Sequence, residues 1–161
     1  MLRVGLISDT HGLLRPQALA ALRGSARIVH AGDIGSAEIL DALTRIAPLT
    51  AVRGNNDRDA WASRLPETVE FEECGVRLHV LHDLHELAIA PRERNIAVVI
   101  SGHSHKPRVE RRDGVLYVNP GSAGPRRFKL PVTVAELLID SDQFAVEGIA
   151  AIDTRIVELP I

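Results

Sequence analysis

The chain has 161 residues, 45% hydrophobic and 25% charged, with a formal charge of −2 and one cysteine, Cys74. A chain of this length can bury about 68–70% of its unfolded surface, so residues 1–161 are read as one globular domain. The charge balance gives no reason to expect strong nucleic-acid binding, and no apolar run approaches the roughly 20 residues that cross a bilayer. A lone cysteine cannot form an internal disulfide, which points to a reducing cytoplasm. Residues 1–8 begin a strand and lack a signal-peptide pattern.

Leu2 to Ser8 reads as a strand that ends in Asp9-Thr10-His11-Gly12. Pro16 suits a helix start, and Ala18, Leu19 and Leu22 form the buried stripe of a helix running to about Arg23. Arg27 to Ala31 is a second strand, ending in Gly32-Asp33. Ser36 is a good helix N-cap, with Glu38 in the first turn. Ile39, Leu40, Leu43 and Ile46 then follow helical spacing up to Pro48. Leu49 to Val52 is a third strand, ending in Gly54-Asn55-Asn56-Asp57. A polar loop, Arg58 to Pro66, interrupted by Trp61, leads to two antiparallel strands, Thr68 to Glu72 and Val76 to Leu81, joined around Cys74-Gly75. The second ends in His82-Asp83. Leu84 to Ala90 reads as a short helix broken at Pro91.

The run Ala97-Val98-Val99-Ile100 is a buried strand that stops at Ser101-Gly102 and delivers His103-Ser104-His105. In extended backbone, residues i and i+2 face the same way, so both histidines can reach one small volume. Arg108 to Arg112 and Val115 to Val118 flank Asp113-Gly114, a strong hairpin signal, and Asn119-Pro120-Gly121-Ser122 closes the second arm. Val132 to Ile139, Phe144 to Ile149 and Arg155 to Leu159 read as tail strands. The early strand–helix alternation implies parallel crossovers and the later part hairpins. Together they predict a mixed α/β (α+β) architecture: a two-sheet β-sandwich core with helices packed outside.

Asp9, Asp33, Asn55, His82 and His103 each lie at or just past the C-terminal end of a predicted strand, the edge where open α/β sheets bind ligands. With His11 and His105 they make two carboxylates, one amide and four imidazoles. Gathering such a set without a counter-ion leaves costly desolvated polar groups. A metal pair removes that cost, and seven ligands suit two ions sharing one carboxylate. Two divalent cations about 4 Å apart repel by roughly 16 kcal/mol at an effective dielectric of 20, which a bridging carboxylate and a bridging hydroxide relieve. Asp33, alone after its strand, is the best bridge. The nitrogen and oxygen donors, with no thiolate, fit Mn²⁺, Zn²⁺, Fe²⁺, Co²⁺ or Ni²⁺ better than Ca²⁺ or Mg²⁺.

The ordered set Asp9-Thr10-His11, Gly32-Asp33, Gly54-Asn55-Asn56-Asp57, His82 and Gly102-His103-Ser104-His105 resembles the calcineurin-like metallophosphoesterases. Asn119-Pro120-Gly121-Ser122 and the chain length are similar to the small YfcE-like phosphodiesterase branch. The resemblance implies a four-layer architecture, a two-sheet sandwich with helices outside, and a two-metal centre, Mn²⁺ being the leading ion. It implies one metal on Asp9, His11, Asp33 and His105, and another on Asp33, Asn55, His82 and His103, with Asp33 bridging. Asn55, Asp57 and His82 are the candidate catalytic residues. Asn55 can hold its metal while its amide donates nearby, and Asp57 orients its neighbours. Two departures stand out: Asn56 occupies a position where many relatives carry a leaving-group histidine, and Asp83 follows His82 where glycine is common.

The function expected is metal-dependent hydrolysis of a small phosphodiester by a bridging hydroxide, with no membrane partner and with room for a homo-oligomer. A phosphomonoesterase or nuclease of the same fold is the nearest alternative. A catalytically silent protein-binding scaffold is the next. His30 and His79 read as packed structural histidines, and Arg111-Arg112 as a solvated hairpin arm. Trp61 fits a loop anchor, a subunit contact or a substrate platform. Arg126-Arg127, after the Asn-Pro-Gly-Ser turn, can bind substrate phosphate.

Overall fold

The computed structural model describes residues 1–161. Two five-stranded sheets stack face to face. Sheet A carries β1 (Leu2–Ile7), β2 (Arg27–His30), β3 (Leu49–Ala51), β9 (Thr133–Ile139) and β10 (Asp153–Glu158) in the order β10-β9-β1-β2-β3. Sheet B carries β4 (Thr68–Glu73), β5 (Val76–Leu81), β6 (Val98–Ile100), β7 (Arg108–Arg112) and β8 (Val115–Asn119) in the order β4-β5-β6-β8-β7. Each sheet holds a parallel trio, at one side of sheet A with β9 and β10 antiparallel beyond β1, and in the centre of sheet B with β4 and β7 antiparallel on its flanks. The parallel trios, β1-β2-β3 and β5-β6-β8, bring their C-terminal ends to one edge of the sandwich.

Period-two alternation sorts the side chains between layers. Val4 and Leu6 of β1 point into the inter-sheet core with Leu78, Val80, Val98, Ile100, Leu116 and Leu137. Ile7 points the other way, toward α1 (Pro16–Leu22) and α2 (Ala37–Thr44), where Ala18, Leu22, Ile39 and Leu43 cover sheet A. Gly5 is required on that face: a Cβ there would meet Leu22 Cδ2 and Ser25 Oγ, both at 2.7 Å. The outer face of sheet B is covered more thinly. Leu84, Leu87 and Ile89 pack over Leu81, Ile96, Val99 and Val115. This fourth layer consists of 3-10 turns at Leu84–Glu86 and Pro91–Arg94 instead of the helix expected over Leu84 to Ala90.

Ser36 does occupy the N-cap position of α2, without a side-chain cap bond. The expected strand Phe144 to Ile149 is instead the helix α3 (Ser141–Glu147) followed by a 3-10 turn, Gly148–Ala151. The cause is local: the Asp140 carboxylate accepts from the amides of Asp142 (3.0 Å) and Gln143 (3.2 Å), satisfying donors that a helix start leaves free. Trp61 lies on a 3-10 turn (Ala60–Arg64) and packs against the core beneath α1 and α2, anchoring its loop.

Leu137 is fully buried between the sheets. Leu137→Ala should cost about 3 kcal/mol through lost burial and the cavity left behind, read as a lower urea midpoint with an unchanged slope.

Candidate metal centre

All seven predicted ligands reach the shared sandwich edge, each from a loop that leaves a parallel strand. Asp9 and His11 follow β1, Asp33 follows β2 and Asn55 follows β3. His82 follows β5, and His103 and His105 follow β6. Three of the loops bend sharply by the same device. Asp9, His11, Asp33, His103 and His105 all have positive φ, from 46° to 71°, a left-handed conformation that side chains other than glycine seldom adopt. The i, i+2 histidines are therefore presented by a turn and not by extended backbone, and they face different neighbours. His105 Nε2 lies 3.2 Å from His11 Nε2 and 3.4 Å from Asp9 Oδ1. His103 Nδ1 lies 3.2 Å from Asn55 Oδ1 and 3.3 Å from His82 Nε2.

Asp33 stands between the two groups. Its Oδ2 is 3.7 Å from His11 Nε2 and 3.3 Å from His82 Nε2. Asn56 holds it there, donating its backbone N–H to Oδ1 (2.9 Å) and its side-chain amide to Oδ2 (3.0 Å). Gly54 is needed alongside, since a Cβ at that position would sit 2.1 Å from Asp33 Oδ1. His82 is oriented from behind: its Nδ1 donates to the Ala31 carbonyl (2.7 Å), which leaves Nε2 as the free lone pair.

Asp9 is fully buried. Its Oδ2 accepts from Ser8 Oγ (2.7 Å) and from the His103 amide (3.1 Å). Its Oδ1 has no hydrogen-bond partner at all, and neither has the buried His105 Nδ1. A buried carboxylate oxygen without a donor is costly. Here it faces imidazole nitrogens of His105, His11 and His82 at 3.4, 3.7 and 4.0 Å. Asp9, His11 and His105 form one cluster able to hold a cation, and Asp9, Asp33 and His82 form a second. The donor set fits divalent transition metals.

The electrostatics agree with that fit. Burial works to raise the Asp9 carboxyl pKa, but the facing imidazoles of His105 and His11 and the hydrogen bond from Ser8 hold it well below the usual carboxylate range. For Asp33 burial is again outweighed, by His82 and the Asn56 amide, and the shift is downward. Burial would lower the His82 pKa, yet Asp33 and Asp9 raise it.

Asp57 occupies a different place. Its carboxylate accepts from the backbone amides of Ile34, Gly35 and Gly54 at 2.9–3.1 Å, so it ties the Asp33 loop to the Asn55 loop and positions both. Asp83 caps its own turn through His85 N (3.1 Å), and its Oδ2 is 3.8 Å from His103 Nε2.

Of three supports, the sequence marks only His30, as a packed structural histidine, and assigns no supporting role to the other two. Asn56 is one. Asn119 is another, donating to Gly102 O (2.9 Å) and Ser104 Oγ (3.1 Å) and so fixing the two-histidine turn. The third is His30, fully buried behind the site. The Gly32 amide donates to its Nδ1 (3.1 Å), its Nε2–H faces Thr10 Oγ1 (3.0 Å), and Thr10 donates to Ile34 O (2.7 Å). This relay locks the Asp9 and Asp33 loops together and requires a neutral ring. The only sequence signal was an apolar strand containing a histidine.

Residues 2–142 match the calcineurin-like phosphoesterase superfamily domain. The chain belongs to that family. It is 34% identical over 156 residues to a probable metallophosphoesterase from Methanothermobacter thermautotrophicus, covering 89% of this chain and 90% of the relative. It is 28% identical over 139 residues to a phosphodiesterase from Methanocaldococcus jannaschii, covering 74% of this chain and 83% of that one. Among solved structures it is similar to an archaeal phosphodiesterase, with a TM-score of 0.78 at 22% identity over 98% of this chain and 100% of the other. It is also similar to Vps29 of Entamoeba histolytica in a complex with zinc, with a TM-score of 0.72 at 23% identity over 98% and 99% of the two chains.

Burial pushes the His30 imidazole down to about 4 from an ordinary 6.5. Between those values the unfolded chain binds more protons than the folded one, so stability falls as pH drops from 6.5 toward 4. His30→Gln should remove that component. In metal-free protein, the destabilisation it causes at neutral pH should shrink by roughly 3 kcal/mol at pH near 4, measured by urea unfolding across the pH range.

Proposed function

We propose that this chain hydrolyses small phosphodiesters at a dinuclear divalent-metal centre. The observation that carries the reading is the buried, partnerless Asp9 Oδ1, ringed by imidazole nitrogens of two facing clusters. In this reading one ion takes Asp9, His11, Asp33 and His105. The other takes Asp33, Asn55, His82 and His103, with Asp33 shared. When bound, the two ions supply a hydroxide nucleophile at neutral pH and offset charge on the phosphoryl oxygens. Mn²⁺ is the leading ion, and Zn²⁺, Fe²⁺, Co²⁺ and Ni²⁺ suit the same donors.

The chain's own residues do the rest. Asp9, Asp33, His82 and His105 are buried and fix the floor of the site, while Asn55 and His103 are exposed and border the side open to substrate. Asn55 offers its carbonyl oxygen to the His82–His103 cluster, leaving its amide hydrogens to orient a phosphoryl oxygen. Asp57 and His30 hold the loops in register. Hydrolysis forms a bond from the water oxygen to phosphorus and breaks the bond from phosphorus to the leaving oxygen, which finally takes a proton. Asn56 is turned to Asp33, in a place where it can donate a hydrogen bond but no acidic proton. No strong general acid supports the leaving group.

The likeness to Vps29 supports a second reading, a protein-binding scaffold on the same fold. Against it, every ligand position here carries a side chain able to bind metal. Fewer than one ion per chain after Mn²⁺ reconstitution would favour the scaffold. A cytoplasmic location accords with the single Cys74, and no helix is long and apolar enough to cross a membrane.

Asp33→Asn and His103→Ala should each abolish turnover of bis(p-nitrophenyl) phosphate and lower metal content. Normal activity of either variant after chelation and Mn²⁺ restoration would overturn the ligand assignment. Across a series of aryl and alkyl diesters, the rate should fall steeply as the leaving-group pKa rises. A flat dependence would reveal an acid in the site.

A further inference from the structure

Between Ser122 and Val132 the chain leaves the sandwich as a closed loop. Its neck is shut by the Ser122–Val132 bridge, by the Thr133 amide donating to Ser122 O (2.9 Å) and by Thr133 Oγ1 donating to Pro120 O (2.6 Å). The neck is also fastened to the metal centre. Ser122 Oγ donates to Asp9 O (3.0 Å), the Ala123 amide donates to Ser8 O (3.0 Å), and Arg15 donates to Gly124 O (3.3 Å). Gly124 has no room for a Cβ, which would lie 2.3 Å from Thr10 O. The tip is therefore an anchored projection from the backbone that carries Asp9 and His11.

The tip carries Arg126, Arg127, Phe128 and Lys129, all exposed. Phe128 is 93% exposed and has a φ of +51°. A bulky residue with positive φ, turned outward, is strained without being repaid by burial. Arg127, Phe128 and Lys129 share a cavity of about 670 Å³ with Lys106 and the metal-cluster residue His105. Arg126, Arg127, Lys129 and Lys106 have no carboxylate partner. Arg108 and Arg112 nearby are both paired with Glu110, at 2.8 and 3.9 Å. An uncompensated cationic cluster in a chain of net charge −2, with an exposed aromatic ring that shares a cavity with His105 of the candidate metal cluster, is complementary to a polyanion that carries a planar ring.

We propose that the 124–130 loop binds the non-reacting half of the substrate, and that the substrate class is a nucleotide-bearing diester with a second phosphate. The base stacks on Phe128, and Arg127, Lys129 and Lys106 hold the second phosphate. This rests on the phosphodiesterase reading above. For a 5′-phosphorylated diadenylate, one water is consumed, the bond from phosphorus to the 3′ oxygen breaks, and two molecules of adenosine 5′-monophosphate result.

The test compares wild type with Phe128→Ala and with the Arg127→Gln, Lys129→Gln double variant, all Mn²⁺-supplemented full-length chains. The ratio of kcat/KM for 5′-phosphorylated diadenylate to kcat/KM for bis(p-nitrophenyl) phosphate should fall about tenfold in each variant, through KM. Equilibrium dialysis with the phosphorothioate-linked dinucleotide should show about tenfold weaker binding by both variants, and wild-type binding that weakens as salt rises. Unchanged ratios, or equal binding by wild type and variants, would overturn the proposal. If no diester is hydrolysed but the binding differences appear, the hydrolase reading fails and the loop's ligand class stands. Wild-type sedimentation with phosphatidylglycerol vesicles in the absence of dinucleotide binding would overturn it in favour of a membrane surface.

Discussion

Asp9 sets the terms for the whole edge of the sandwich. Its side chain is sealed from solvent, one oxygen has two donors, and the other has none from the protein. A carboxylate in that position must meet positive charge or lose its own. The imidazoles that surround it converge with ring nitrogens facing one another at 3.2 and 3.3 Å, an arrangement of donors that suits a cation. The loops hold those nitrogens convergent, and their geometry shows the strain of doing so: five of the seven candidate ligand residues sit in left-handed backbone. Asp57, His30 and Asn119 make that backbone tolerable by tying loop to loop through hydrogen bonds.

The division of donors follows from the topology. Sheet A delivers Asp9, His11, Asp33 and Asn55, and sheet B delivers His82, His103 and His105. Oxygen comes from one sheet and most of the nitrogen from the other. Each of the two candidate cation clusters draws on both sheets. The inter-sheet core, including Leu6, Ile100 and Leu137, holds the two half-sites opposite each other.

Much of this was legible in the chain. Polar ligands directly after β-branched runs placed Asp9, Asp33, Asn55, His82 and His103 at strand ends, and parallel pairing then had to bring them together. Strand identity came through wherever alternation or continuous burial was strong. It failed at Phe144–Ile149, where apolar residues suggested a strand while the Asp140 cap decided for a helix. The helix expected over Leu84 to Ala90 shrank to a single 3-10 turn, because tertiary packing on Val99 and Val115 outweighed local propensity. Left-handed turns at Asp9, His11 and Asp33 were illegible, since the left-handed residues are not themselves glycine, although Gly12 and Gly32 adjoin them. So was the support from Asn56, because a side chain that holds another side chain leaves no periodic trace.

The split of ligands between layers has a consequence for the protein's life outside catalysis. An ion bound by both sheets acts as a rivet through the sandwich, and any species that binds only the folded form adds to its stability in proportion to its own free concentration. With an ion so held, resistance to proteases would rise and fall with the surrounding pool of divalent metal. A chain starved of such ions would lose durability, and turnover of the polypeptide would become a readout of metal supply.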